Sequence, residues 1–151
     1  MFIEDRYEID NNDLDSIFEF KSIGKKGEII KIVRFDKTKL ENVFNLGFGD
    51  KDLKSGILDD KIVSDNGDFE KVLATVAATV YTFTENKPNS VIIIRGANKA
   101  RVRLYQIGIS KYFEKIYEDF EVFGLTETGW QPFIRNTRYR GFLIQRKNNI
   151  L

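Results

Sequence analysis

Apolar residues crowd two short runs, Phe18-Glu19-Phe20-Lys21-Ser22-Ile23 and Glu28-Ile29-Ile30-Lys31-Ile32-Val33-Arg34-Phe35, on either side of Gly24-Lys25-Lys26-Gly27. This pattern predicts a β-hairpin with glycine at both ends of its turn. Between residues 43 and 48, Phe44, Leu46 and Phe48 alternate with Asn45 and Gly47, as a half-buried third strand should. A long polar connection follows from 49 to 67, pegged only by Ile57-Leu58 and Ile62-Val63, with a short strand expected around Ile62. After Asp68, a good N-cap residue, the apolar positions Phe69, Val72, Leu73, Val76, Ala77, Val80 and Phe83 recur at helical spacing. That stripe persists over four turns, so it outweighs the strand preference of β-branched Thr75, Val76, Thr79, Val80 and Thr82.

Asn86 and Pro88 end the helix, and the unbroken apolar run Val91 to Ile94 predicts a central strand buried on both faces. Beyond Gly96, Asn98 is placed to cap a second helix with the stripe Val102, Tyr105, Ile109, Tyr112, Phe113 and Ile116. Gly108 costs that helix about 1 kcal/mol relative to alanine and is expected to mark a kink. Residues 120–123 and 130–133 predict a second hairpin around Glu127-Thr128-Gly129, and residues 139–145 a last strand. Together these elements predict an α+β fold: a mainly antiparallel sheet of five to seven strands with two helices packed on one face. Residues 1–15, rich in acids and asparagine, are expected to form a loosely ordered acidic arm, and 16–151 a single domain.

Composition narrows the chemistry. The chain has 151 residues, 13 of them Phe, and no Cys or His. Thiolate and imidazole chemistry, disulfides and Cys- or His-ligated zinc are therefore absent. The acidic connection does not form a calcium loop either: starting at Asp50, the loop template meets Lys54, then Ser55 where glycine is needed, then Lys61 in place of the closing glutamate. No metal and no cofactor is expected. No apolar run approaches the roughly 18 residues that cross a bilayer, and Met1-Phe2-Ile3-Glu4-Asp5-Arg6 lacks the pattern of a secretion signal. A cytoplasmic protein with no membrane partner is the expectation.

Charge adds an asymmetry. Residues 1–75 carry 12 Lys and Arg against 17 Asp and Glu, whereas 76–151 carry 12 against 6. Seven of the nine arginines lie in the second part, which points to an anionic partner or to one copy's acidic surface meeting another's basic one. The sharpest candidate is the strand-to-helix junction, where Gly96, Lys99, Arg101, Arg103 and Tyr105 surround a helix start that itself attracts anions. Helical spacing places Arg101 and Tyr105 on one side and turns Arg103 away. This is not a Walker A loop, because the second glycine and its following Lys-Ser/Thr are missing. A second candidate is the C-terminal mixture of Trp130, Arg135, Arg138 and Arg140, residues of the types that stack bases and hold phosphates.

The blocks 31–35, 45–50, 66–76, 95–105 and 118–124 resemble, in order, a family of short uncharacterised proteins from Bacteroidota. That resemblance implies Ser-Thr where this chain has Ala97-Asn98 and Thr where it has Val102; it implies no activity. The residues themselves point first to a non-enzymatic anion-binding module with nucleic acid or a nucleotide as partner. The alternatives are a small histidine-independent RNase, with Arg and Lys stabilising phosphate and Tyr or Glu moving protons, and a protein-interaction or homo-oligomerisation domain joined at sheet edges.

Overall fold

The computed structural model describes residues 5–11, 16–59, 65–96 and 98–147. Among these, nine strands and three helices follow one another as β1 (Asp10–Asn11), β2 (Ile17–Gly24), β3 (Gly27–Lys37), β4 (Val43–Lys51), β5 (Leu58–Asp59), α1 (Phe69–Asn86), β6 (Val91–Ile94), α2 (Lys99–Lys111), α3 (Phe113–Asp119), β7 (Phe120–Thr126), β8 (Gly129–Pro132) and β9 (Phe142–Arg146). One sheet runs β1-β2-β3-β4-β6-β9-β7-β8, with β5 on the side of β4. The fold is α+β, but two features of the expectation need correcting: the sheet has nine strands rather than five to seven, and it is mixed. β4 and β6 run parallel, Val43 opposite Val91 and Leu46 opposite Ile94, because α1 carries the chain back across the sheet between them.

The first hairpin forms as its sequence predicts. Gly24 pairs with Gly27, which takes φ +88°, and Lys25-Lys26 make the turn. In β3, Lys31, Val33 and Phe35 share the inner parity while Arg34 and Asp36 take the other, so a lysine falls among core residues. α1 spans 18 residues, with Val72, Val76, Val80 and Phe83 buried. Its β-branched threonines are tolerated because their hydroxyls bond back to the helix: Thr75 to Lys71 O at 2.7 Å, Thr79 to Val76 O at 2.6 Å and Thr84 to Val80 O at 2.8 Å. Phe83 anchors α1 to the sheet, its ring 4.2 Å from that of Phe35 and 4.9 Å from that of Phe44. Each such buried side chain contributes about 1.5–3 kcal/mol.

Asp68 precedes α1 but makes no side-chain cap bond. Its carboxylate instead accepts from the Tyr7 hydroxyl at 2.6 Å and from Ser22 Oγ at 2.5 Å. Tyr7 N–H donates to Thr75 Oγ1 at 2.9 Å, and its ring stacks on Phe20. Of the stretch expected to be an arm, residues 5–11 are thus anchored and the rest lies outside the described residues. The strand expected around Ile62 also falls there.

The second helical stripe is not one helix. It breaks at Tyr112 (φ −106°, ψ 16°), giving α2 and the separate α3, so the described residues hold three helices rather than two. Gly108 lies within α2 where that helix meets α1, and an added Cβ would come 3.0 Å from Leu73 Cδ1. β6 is central as expected, between β4 and β9, but it is buried on one face and only half-buried on the other. Residues 139–141 stand outside β9, and Tyr139 is buried across Gly124, whose missing side chain makes the room. No helix of the described residues is long and apolar enough to cross a membrane.

Candidate functional site

β6 ends at Ile94 and the chain reaches α2 through Arg95 and Gly96. Asn98 caps the helix as its type predicts, its side chain accepting from Arg101 N–H at 2.9 Å. Gly96 has a specific steric duty: an added Cβ would lie 2.5 Å from Val102 N and 3.0 Å from Arg101 C. Its lack of a side chain therefore lets the first turn of α2 lie directly against the end of β6.

That close approach fixes the first turn. Arg101 is 4% exposed, and its guanidinium carbon stands 5.1 Å from the centre of the Phe48 ring on β4. Tyr105, one turn on, is buried beside it. Arg103 and Lys99 are exposed, so the division expected from helical spacing is the one the fold makes.

Two recesses meet at Arg101, Tyr105 and Phe48. The outer one, of about 510 Å³, adds Arg34, Lys39 and Arg95 to its rim. Its one acid among the described lining residues is Asp36, which is engaged by Arg34 Nε at 2.9 Å. The inner one, of about 420 Å³, lies beneath the start of α1 and is walled by Phe69, Val72, Leu73 and Leu104. Lys31 closes its floor, 4% exposed and ion-paired with Asp50, with its ammonium 6.0 Å from the Phe48 ring centre. The Phe48 ring is thus flanked by two buried cations, an arrangement its π faces favour.

Sequence reasoning found Arg101 and Tyr105 but missed Lys31, Arg34, Lys39, Arg95 and Phe48 as neighbours. Lys31 had a usable signal, since it shares strand parity with Val33 and Phe35 and therefore points into the core. Its partner follows from the hairpin register, which sets Lys31 opposite Asp50.

The C-terminal candidates are dispersed. Arg135 Nε donates to Ser110 O at 3.0 Å, and its guanidinium lies 5.7 Å from the Phe113 ring. Arg140 reaches Glu127 at 3.4 Å, and Arg138 is exposed beside it on a shallow depression with Thr126 and Thr128. Trp130 is half-buried on β8, opposite Leu125 of β7. These four side chains do not line one described recess together.

Two acids at the rim of the inner recess are held by the protein itself. Asp65 accepts from Gly67 N–H and faces Lys25 at 3.5 Å, which together hold its carboxyl below the usual range. Asp68 holds Tyr7 and Ser22; burial, then the bond to Asp68, pushes the Tyr7 phenol above its ordinary value.

A family described as "Family of unknown function (DUF6934)" matches residues 3–147, and the chain belongs to it. No curated protein and no solved structure matches the chain.

Proposed function

We propose that this member of the DUF6934 family is a binding module for an anion, a nucleic acid or a nucleotide, which it holds at the junction of β6 and α2. The observation that carries the reading is Arg101, a residue only 4% exposed that nevertheless lines two recesses. A forked donor preset over an aromatic ring loses little freedom on meeting a phosphate. Among the described lining residues Arg95, Arg34 and Lys39 outnumber the one acid, Asp36, which favours a positive field at the opening. In this reading Tyr105 donates beside Arg101, while exposed Lys99 and Arg103 steer the ligand, and Gly96 sets the helix close enough for the site to exist.

The test is fluorescence anisotropy with a labelled single-stranded 16-mer and with a labelled nucleotide, from about 50 to 300 mM salt. Binding that falls steeply with salt and is lost in Arg101→Ala is the expected result. Absence of binding to both probes at the lowest salt, or binding indifferent to salt and to Arg101→Ala, overturns the proposal.

A further inference from the structure

The two recesses that meet at Arg101 differ in kind. Cations dominate the outer one, whereas the inner one is mostly a wall of side chains that offer only apolar surface: Phe69, Val72, Leu73 and Leu104. A polynucleotide backbone has no use for such a wall, because its charge repeats along the chain and its sugars need water. A molecule with one charged end and one apolar body matches both. Burying an apolar body against that wall is favourable in proportion to area removed from water, and the charged end then falls beside the guanidinium at the meeting point.

We infer that the site takes a small organic anion, with its charged head at Arg101 and a single ring or short chain lying in the inner recess against Leu73 and Leu104. This rests on the reading above and narrows its ligand from polymer or nucleotide to a compact amphipathic anion. Three observations support it independently of the helix start. The inner recess, at about 420 Å³, falls within the range of small-molecule sites. Two cations more than nine-tenths buried, Lys31 and Arg101, line it. The two acids among its described lining residues lie on the side of Asn66 and are committed to Lys25, Gly67, Tyr7 and Ser22, so the anionic head sits at the other end, beside Arg101.

Isothermal titration with phenyl phosphate, benzoate, inorganic phosphate, phenol and the single-stranded 16-mer separates the possibilities. The unmodified protein should bind phenyl phosphate or benzoate at least about tenfold more tightly than inorganic phosphate or phenol, since a buried ring adds more than one factor of ten. Leu104→Asn and, separately, Phe69→Ser should erase that advantage while leaving inorganic phosphate unchanged. Arg101→Ala should weaken every anion.

An aryl group that adds nothing over inorganic phosphate, or an advantage that survives both wall substitutions, overturns the inference while leaving an anion site in place. A 16-mer that outbinds both aryl anions does the same. If no anion binds at all, the proposed function falls with it. The comparison among ligands uses the unmodified protein, so it stands whatever the substitutions do to folding.

Discussion

Arg101 and Arg146 both lie on the helix-covered side of the sheet against aromatic rings, yet their surroundings differ. Arg146 places its guanidinium 5.5 Å from the Tyr81 ring centre and 5.3 Å from that of Phe120. It donates from Nε to Thr84 Oγ1 at 2.8 Å and from a terminal nitrogen to Tyr81 O at 3.0 Å. It is a brace between β9 and the end of α1. Arg101 also covers a ring, but two recesses open beside it. Arg135 and Arg140 likewise reach the chain's own Ser110 and Glu127, and neither lines these two recesses. What singles out Arg101 as the candidate is the space next to it, and counting arginines cannot reveal that.

Each region also depends on a glycine at a close approach, and breaking these should give the largest effects. An alanine at Gly96 would press on the backbone of α2 at 2.5 Å, and one at Gly124 would press on the buried Tyr139 ring at 2.2 Å. Both substitutions should lower unfolding free energy by about 3 kcal/mol or more in denaturant melts. Gly96→Ala should in addition abolish anion binding, and Gly124→Ala should leave it intact wherever the protein is folded. Gly108→Ala meets only the end of the Leu73 side chain at 3.0 Å, so it should shift stability by no more than about 1 kcal/mol. A Gly96→Ala variant as stable as the parent would mean that α2 is not held against β6 as described.

Arg146→Ala comes next. Losing two hydrogen bonds and two ring contacts should destabilise by about 2–3 kcal/mol with no change in anion affinity. Arg101→Ala should show the reverse emphasis, an affinity loss of about 30-fold, or about 2 kcal/mol, against less than threefold for Arg138→Ala or Arg140→Ala. Equal losses at Arg101 and Arg138 would erase the contrast between the two regions.

Local order was legible in the sequence and long-range pairing was not. The first hairpin, α1, the central β6 and the Asn98 cap were all readable, because each rests on spacing within about twenty residues. The parallel pairing of β4 with β6 spans α1, and no local alternation encodes which strand a run will lie beside. The break at Tyr112 was hidden because the apolar stripe runs through it without proline or glycine. Asp68 has the right type for an N-cap, but a residue 61 positions away takes its carboxylate. The site followed the same rule. Arg101 and Tyr105 lie one turn apart on a single helix and could be paired from spacing, whereas Phe48 and Lys31 come from strands that only the tertiary fold brings to them.

The finest difference between the two regions lies in a pair of tyrosine–carboxylate bonds at opposite ends of α1. At its start the Tyr7 hydroxyl donates to Asp68, and near its end the Tyr81 hydroxyl donates to Asp119, each at 2.6 Å. Burial first, and the adjoining carboxylate second, push both phenols above the ordinary tyrosine value near 10. In the unfolded chain each phenol ionises near pH 10, while in the folded protein each keeps its proton to higher pH. Above pH 10 the unfolded state therefore binds fewer protons than the folded one. The stability these bonds contribute is complete below that pH and is lost as pH rises through the folded-state values. Tyr81→Phe and Tyr7→Phe should each cost about 1 kcal/mol at pH 8, and the deficit relative to the parent should shrink between pH 10 and 11. Tyr81 is the more deeply buried and more strongly shifted of the two, so its deficit should go on shrinking to higher pH, after that of Tyr7 has levelled off. Thermal melts of the three proteins across that range measure the difference directly, with the alkaline loss of lysine charge common to all of them. If both deficits stay constant from pH 8 to 11, neither hydroxyl has its ionisation coupled to folding.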